Sequence, residues 1–286
     1  MCVLLVEVNT SRIRELAKLL KPYKTLLKTL YKRDPQYTAI RDLLQTRTCS
    51  ETAILVITNA TVSYQLTTPG ELYWFNFTKY FKKNTSDKYL DVFKNFLSTH
   101  SPRLLTQKLS RIRKILESEL VLELREDPLK YCNKITKLAE KIITTLKTTS
   151  LSKTALFAAK MYGYVCDLCG IEPNYWGLSI PLDFRNALLA ITSCIISTSE
   201  LCKDTYKCAK ILVTRKYSKI VQDAWSELCG ELEIPCAYLD TFTWLLTGII
   251  IKTQCNLRKV RSQLKNTLSI DLPQSLLGEF TKCRCL

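Results

Sequence analysis

LSKTALFAAKMYGYVCDLCGIEPNYWGLSIPLDFRNALLA, residues 151–190, is the stretch whose reading decides the fold. Leu156, Phe157 and Met161 recur at helical spacing, which predicts a helix over 152–169. GIEPNYWGLSIP (170–181) carries two glycines and two prolines and reads as the turn that ends it. From Phe184 the apolar pattern resumes and predicts a second helix over 183–200. Lys153 falls in the first turn of the first helix, with Ser152 or Ser150 to cap it. Asp183 opens the second helix and reads first of all as its N-cap.

The same periodicity extends outward in both directions. Residues 11–31 form a helical segment that Pro22 divides, followed by helices over 36–46, 71–83 and 87–97. ETAILVITNATVSYQLT (50–66) suggests a buried helix, with strand as the rival because of its β-branched content. Further helices are expected over 103–119, 128–148, 216–229 and 236–252. Residues 1–8 are a candidate strand, and 255–286 read as a basic, loosely patterned tail. The expectation is an all-α chain forming one unit of two helical lobes with a central cleft, the N-terminal helices packing with the C-terminal ones.

The 286 residues are 47% apolar, enough for a sizeable core. The net charge of +16 attracts polyanions, so nucleic acid leads an acidic membrane face as the expected partner. No run of 18 apolar residues appears, so no membrane span is expected. The opening MCVLLVEVNTSR lacks a basic leader, and the chain is expected to stay inside the cell, in the cytoplasm with the nucleoid. Thirteen cysteines do not form a metal pattern: Cys166 and Cys169 are a lone CxxC, and His100 is the only histidine. Intracellular disulfides occur in hyperthermophiles, and the spacing does not decide for or against them here.

An amine and a carboxylate at successive helix starts admit a sharper reading. A lysine is poorly matched to the positive end of a helix, and part burial there would favour its neutral, nucleophilic form. The plain alternatives are a surface lysine, or Lys160 two turns on in the same helix. Asp240 and Trp244 are four apart and share a helix face. Trp74 and Trp244 read by default as core, Gln36 as a helix-start residue and Ser63 as a cap or carbonyl partner; an unpaired Asp240 would be costly to bury.

DPQYTAIRDLL (34–44), NATVSYQLTTPGELYWFNFTKYF (59–81), LSKTALFAAKMYGY (151–164), IPLDFR (180–185) and IPCAYLDTFTWLLTG (234–248) together resemble the archaeal 8-oxoguanine DNA glycosylase family. This family, the archaeal GO glycosylases, is a divergent branch of the helix–hairpin–helix DNA glycosylase superfamily. The resemblance implies a monomeric, all-α bifunctional enzyme that excises 8-oxoguanine from DNA and then nicks the strand by β-elimination, without a metal or redox cofactor. It implies Lys153 as the nucleophile that forms the Schiff base and Asp183 as the essential carboxylate. It implies Gln36, Ser63, Trp74, Asp240 and Trp244 as base-pocket residues. One departure stands out: KTTSLSK (147–153) has no glycine where the wider superfamily carries a glycine pair. A helix–hairpin–helix glycosylase of other lesion specificity and a non-enzymatic helical DNA-binding protein are the rival readings.

Overall fold

The computed structural model describes residues 5–149, 152–198 and 204–283. A short strand β1 (Val6–Val8) leads into α1 (Thr10–Leu20), whose Asn9 cap accepts from the Arg12 N–H. Pro22 diverts the chain through a 3-10 turn (Lys21–Tyr23) before α2 (Lys24–Thr29), the predicted division. Then follow α3 (Pro35–Leu44), α4 (Cys49–Thr61), α5 (Gly70–Lys83), α6 (Tyr89–His100), α7 (Leu105–Leu116), α8 (Glu119–Glu126), α9 (Ile135–Leu146) and α10 (Lys153–Leu168). The chain continues through α11 (Phe184–Thr192), β2 (Ile196–Thr198), α12 (Thr205–Leu212), α13 (Ser218–Leu232), α14 (Cys236–Lys252), α15 (Leu257–Leu268) and α16 (Gln274–Glu279).

Two compact units emerge, one built from residues 1–31 and 179–286 and the other from 32–178. In the first, α1 packs on α13 and α2 on α14, so both chain ends share one core. Ile13, Leu16, Leu20 and Leu27 enter the same buried cluster as Leu188, Trp225, Leu239 and Leu246. In the second, α4 packs along α10, and α5 and α6 contribute the aromatic cluster Trp74, Phe77, Phe81, Phe93 and Phe96.

The β-branched run in α4 is helical because a helix lets it bury nearly all round. Thr52 through Thr61 are buried, and a Thr48–Glu51 capping box closes the N-terminus. The strand rival fails on that burial.

Two boundaries and several elements differ from those the periodicity predicts. The helix expected over 183–200 stops at Thr192; Cys194 takes φ 68°, and β2 then pairs antiparallel with β1, Glu7 opposite Ser197. Pairing with a distant strand overrides local pattern here. The helix expected from 128 starts only at Ile135, since Asp127 Oδ1 accepts from the Leu129 N–H and holds a turn. The tail is not loose: α15 seats Val260, Leu264 and Leu268 in the core and carries its lysines and arginines outside. Helices α8 and α12 lie where no element was expected; α12 is capped by Asp204, which accepts from the Lys207 N–H.

Among the described cysteines, disulfides take up all but Cys229 and Cys236, which are buried free thiols. Cys49–Cys169 and Cys132–Cys166 fasten α10 to α4 and to the turn before α9, so the CxxC is split between two bridges. Cys194–Cys283 closes the first unit, where Cys208 and Cys255 are also disulfide-bonded. Cys49–Cys169 spans 120 residues. A Cys49→Ser/Cys169→Ser variant is therefore expected to lose about 2–4 kcal/mol. The check is a pair of thermal melts: the gap from the parent protein should be present under oxidising conditions and close under strong reductant.

One glycine is required by close approach. A Cβ on Gly163 would lie 2.1 Å from the Tyr175 hydroxyl, which donates to Lys160 O at 3.0 Å. Gly163→Ala is expected to cost about 1–3 kcal/mol by overpacking, read as a lower Tm with the helical circular-dichroism signal kept.

Candidate functional site

In the second unit a hairpin places the candidate Lys153. Helix α9 ends with Lys147 in the left-handed region at φ 50°, and the Thr148 N–H returns to Ile143 O at 3.1 Å. Lys147 thus adopts, without being a glycine, the left-handed conformation that closes the end of α9. Residues 150 and 151, and with them the Ser150 cap candidate, lie outside the described residues. Ser152 occupies the N-cap of α10 but its side chain makes no capping bond. Lys153 is the first residue of the helix, where the uncapped N–H groups and the helix dipole create a positive end. Its side chain is exposed, so the part burial expected for it is absent. Lys160, by contrast, is buried at 2% exposure, with its amine 5.8 Å from the Tyr164 ring centroid. Burial of that kind favours Lys153 over Lys160 as the residue able to meet a ligand.

Phe157, which the sequence reading took only as part of the helical pattern, lies near this lysine along α10. It stands one helical turn after Lys153, half-buried, with its ring 6.0 Å from that of Trp74. Trp74 itself is only 1% exposed and packs edge-on against Phe77, as its default core reading requires. The i, i+4 spacing from Lys153 was the available signal. Gln36 is buried in the first turn of α3, whose cap Asp34 accepts from the Gln36 N–H and from the Tyr164 hydroxyl on α10. Ser63 donates to Asn59 O at 2.9 Å, and Asn59 Oδ1 accepts from Tyr73 at 2.7 Å. Burial pushes the Tyr73 phenol far above its ordinary range, which keeps it a donor. Beside Lys153, Thr154 Oγ1 accepts from Arg111 Nη2 at 2.7 Å; burial lowers that guanidinium below the usual arginine value.

The first unit gathers the other predicted residues around an asparagine. Asp183 caps α11, accepting from the Asn186 N–H at 3.0 Å, and is half-buried. The Asn186 amide donates to Asp240 Oδ1 at 2.8 Å, and its Oδ1 accepts from Thr243 Oγ1 at 2.8 Å. Asp240 is therefore buried but paired, which removes the cost of an isolated carboxylate. Trp244 is half-buried, and Arg185 covers its ring with the guanidinium carbon 4.2 Å from the centroid. Asn186 was not singled out beforehand. The clue was a lone amide three residues after a cap, inside an apolar run.

Among the described residues no group of three or more His, Cys, Asp or Glu is placed to hold a metal ion, and no single helix is long and apolar enough to cross a membrane.

Similarity to known proteins bears on both halves of this arrangement. The model of a family described as AGOG: N-glycosylase/DNA lyase matches residues 17–276. An N-glycosylase/DNA lyase of Methanococcus maripaludis is 34% identical over 259 residues, covering 84% of this chain and 89% of that protein. One of Thermococcus kodakarensis is 29% identical over 233 residues, covering 79% and 80%. The crystal structure of 8-oxoguanosine-complexed Pa-AGOG, an 8-oxoguanine DNA glycosylase from Pyrobaculum aerophilum, superposes with a TM-score of 0.71. It covers 96% of this chain and 99% of that one at 22% identity, a likeness of fold.

Proposed function

The chain belongs to the AGOG family of N-glycosylase/DNA lyases, and from that premise we propose that it excises 8-oxoguanine through Lys153 and then cuts the strand at the resulting site. The protein is a DNA N-glycosylase and DNA lyase. The observation that carries the finer reading is the exposed Lys153 at the first position of α10, with Phe157 one turn behind it.

The positive charge of the chain draws it to duplex DNA, and the damaged nucleotide leaves the base stack. Trp74 and Trp244 are the proposed aromatic lining, with Phe157 as the part-exposed ring in front of Trp74. Gln36, Ser63 and Asp240 are the proposed readers of the base edge. 8-Oxoguanine differs from guanine by an N7–H donor and the C8 oxygen. An acceptor facing N7 pairs with the lesion and opposes another acceptor in guanine, a discrimination of about 1–3 kcal/mol.

The Lys153 amine attacks C1′, the bond from C1′ to the base breaks, and the base departs with the electron pair. Asp183 stabilises the positive charge that develops on the sugar. After the attacking nitrogen loses a proton, the C1′–O4′ bond opens, O4′ leaves as a hydroxyl, and the nitrogen and C1′ become a protonated imine, which acidifies the C2′ proton. Loss of that proton expels the 3′ phosphate oxygen, breaking the strand, and water then releases the lysine.

The test is to incubate the protein with an 8-oxoguanine duplex and sodium borohydride, then map the crosslinked peptide. An adduct on Lys153 is expected. An adduct on Lys160 overturns the choice of nucleophile, and efficient excision only of a different lesion overturns the substrate.

A further inference from the structure

The first turn of α3 carries Gln36 and is fastened to α10 by two carboxylate–phenol pairs that run in opposite directions. Asp34 Oδ2 accepts from the Tyr164 hydroxyl at 2.9 Å. The Tyr37 hydroxyl in turn donates to Asp167 Oδ2 at 2.5 Å. So α3 supplies the acceptor of one pair and the donor of the other. The Tyr37 and Tyr164 rings meet edge-on, with centroids 5.4 Å apart. Toward α5, which carries Trp74, α3 is held by Thr78 Oγ1, which donates to Ala39 O at 2.8 Å.

Packing does not explain the pair between Asp34 and Tyr164. Both residues are only 1% exposed. An N-cap needs one acceptor oxygen, which serine, threonine or asparagine supplies without a charge. Burying a carboxylate forfeits its hydration. A phenylalanine at position 164 would fill the same space and leave no hydroxyl to satisfy. Each partner therefore costs more than a neutral substitute would. Together they select one placement of α3 on α10 from those that an apolar contact would allow.

The same carboxylate also holds Gln36. Asp34 Oδ1 accepts from the Gln36 N–H at 2.8 Å, while Oδ2 holds α10. Gln36 is 5% exposed, so the setting of its backbone fixes where its amide goes. Lys153 opens the helix that carries Tyr164, about 16 Å away along the axis at 1.5 Å per residue. The proposed base reader and the proposed nucleophile are thus referred to one rigid element within the second unit.

We propose that Asp34 and Tyr164 are positioning residues for lesion recognition, a bridge that sets Gln36 in register with the helix carrying Lys153. This assignment rests on the glycosylase reading above. The bridge acts through Gln36, so that the base edge is read in the same pose in which the Lys153 amine meets C1′. Its influence is confined to substrates that still carry a base.

The experiment compares the parent protein with Tyr164→Phe, Gln36→Ala and the double variant. Two duplexes are used, one with 8-oxoguanine opposite cytosine and one with a preformed abasic site. Tyr164→Phe keeps the ring, and its single-turnover excision of the paired lesion is expected to fall about 10- to 100-fold, the scale of a misplacement of about 1 Å. Borohydride trapping on the abasic duplex, where no base is read, should stay near the parent level and shows that the variant is folded. Because the hydroxyl acts through Gln36, the double variant should excise no worse than Gln36→Ala alone. Tyr37→Phe removes the other pair between the same helices but leaves Asp34 joined to Gln36, and should excise far better than Tyr164→Phe. Losses that multiply in the double variant, equal losses of Tyr164→Phe on both duplexes, parental excision by Tyr164→Phe, or a Tyr37→Phe equally impaired overturn the positioning role. A parent protein that excises no 8-oxoguanine overturns the substrate reading, and the bridge with it.

Discussion

Lys153→Gln is expected to abolish base excision and borohydride trapping while leaving most of the DNA affinity in place. The substitution keeps a polar side chain of similar reach at the first position of α10, an exposed site with no core packing to lose. Folding should be unaffected. What disappears is the nitrogen lone pair that attacks C1′ and later forms the imine. Removal of a covalent nucleophile typically costs at least about 10³-fold, because no other group completes the same step. Binding depends on the whole basic surface, so the loss of one charge should weaken it modestly and reduce its salt slope by about one counterion. Single-turnover excision and a filter or anisotropy titration on the same duplex separate the two effects. Substantial trapping by the glutamine variant would move the chemistry to another lysine.

Asp183→Asn should slow excision by about 10²–10³-fold with little change in stability. Asp183 caps α11 and is also proposed to face the sugar cation. As an N-cap it accepts the Asn186 N–H at 3.0 Å, and asparagine caps about as well as aspartate. The amide therefore preserves the start of α11 and removes only the negative charge proposed to face the sugar cation. Asp183→Ala adds the loss of the cap, about 1 kcal/mol, and through Asn186 disturbs the bond to Asp240. The expected signature is an asparagine variant with parental Tm and a depressed excision rate, beside an alanine variant depressed in both. An asparagine variant as active as the parent would reduce Asp183 to a cap.

Much of the helical architecture was legible because the elements that hold the site carry strong local signals. Helix α14 begins and ends where Pro235 and the apolar run place it, and α10 starts at the lysine predicted for its first turn. A cap such as Asp183 is read from the side chain and its position alone. Errors fell where distant partners outvoted local pattern. The segment 195–198 is β-branched and joined a helical reading until its pairing with β1, far away in sequence, was seen. The roles of Phe157 and Asn186 escaped notice for a similar reason. A phenylalanine and an asparagine gain meaning only when the indole or carboxylate they meet is known.

By itself the sequence determined the helical class, the basic character, the placement of Lys153 and Asp183 at helix starts, and the shared face of Asp240 and Trp244. These are consequences of 3.6-residue periodicity, capping chemistry and charge, each readable within a few residues. Tertiary structure alone decided that Cys169 pairs with Cys49 across 120 residues, that Asn186 reaches Asp240, and that Lys108 is buried beneath Ser101. Such contacts acquire their energy only after the chain has closed long loops, so no local pattern encodes them.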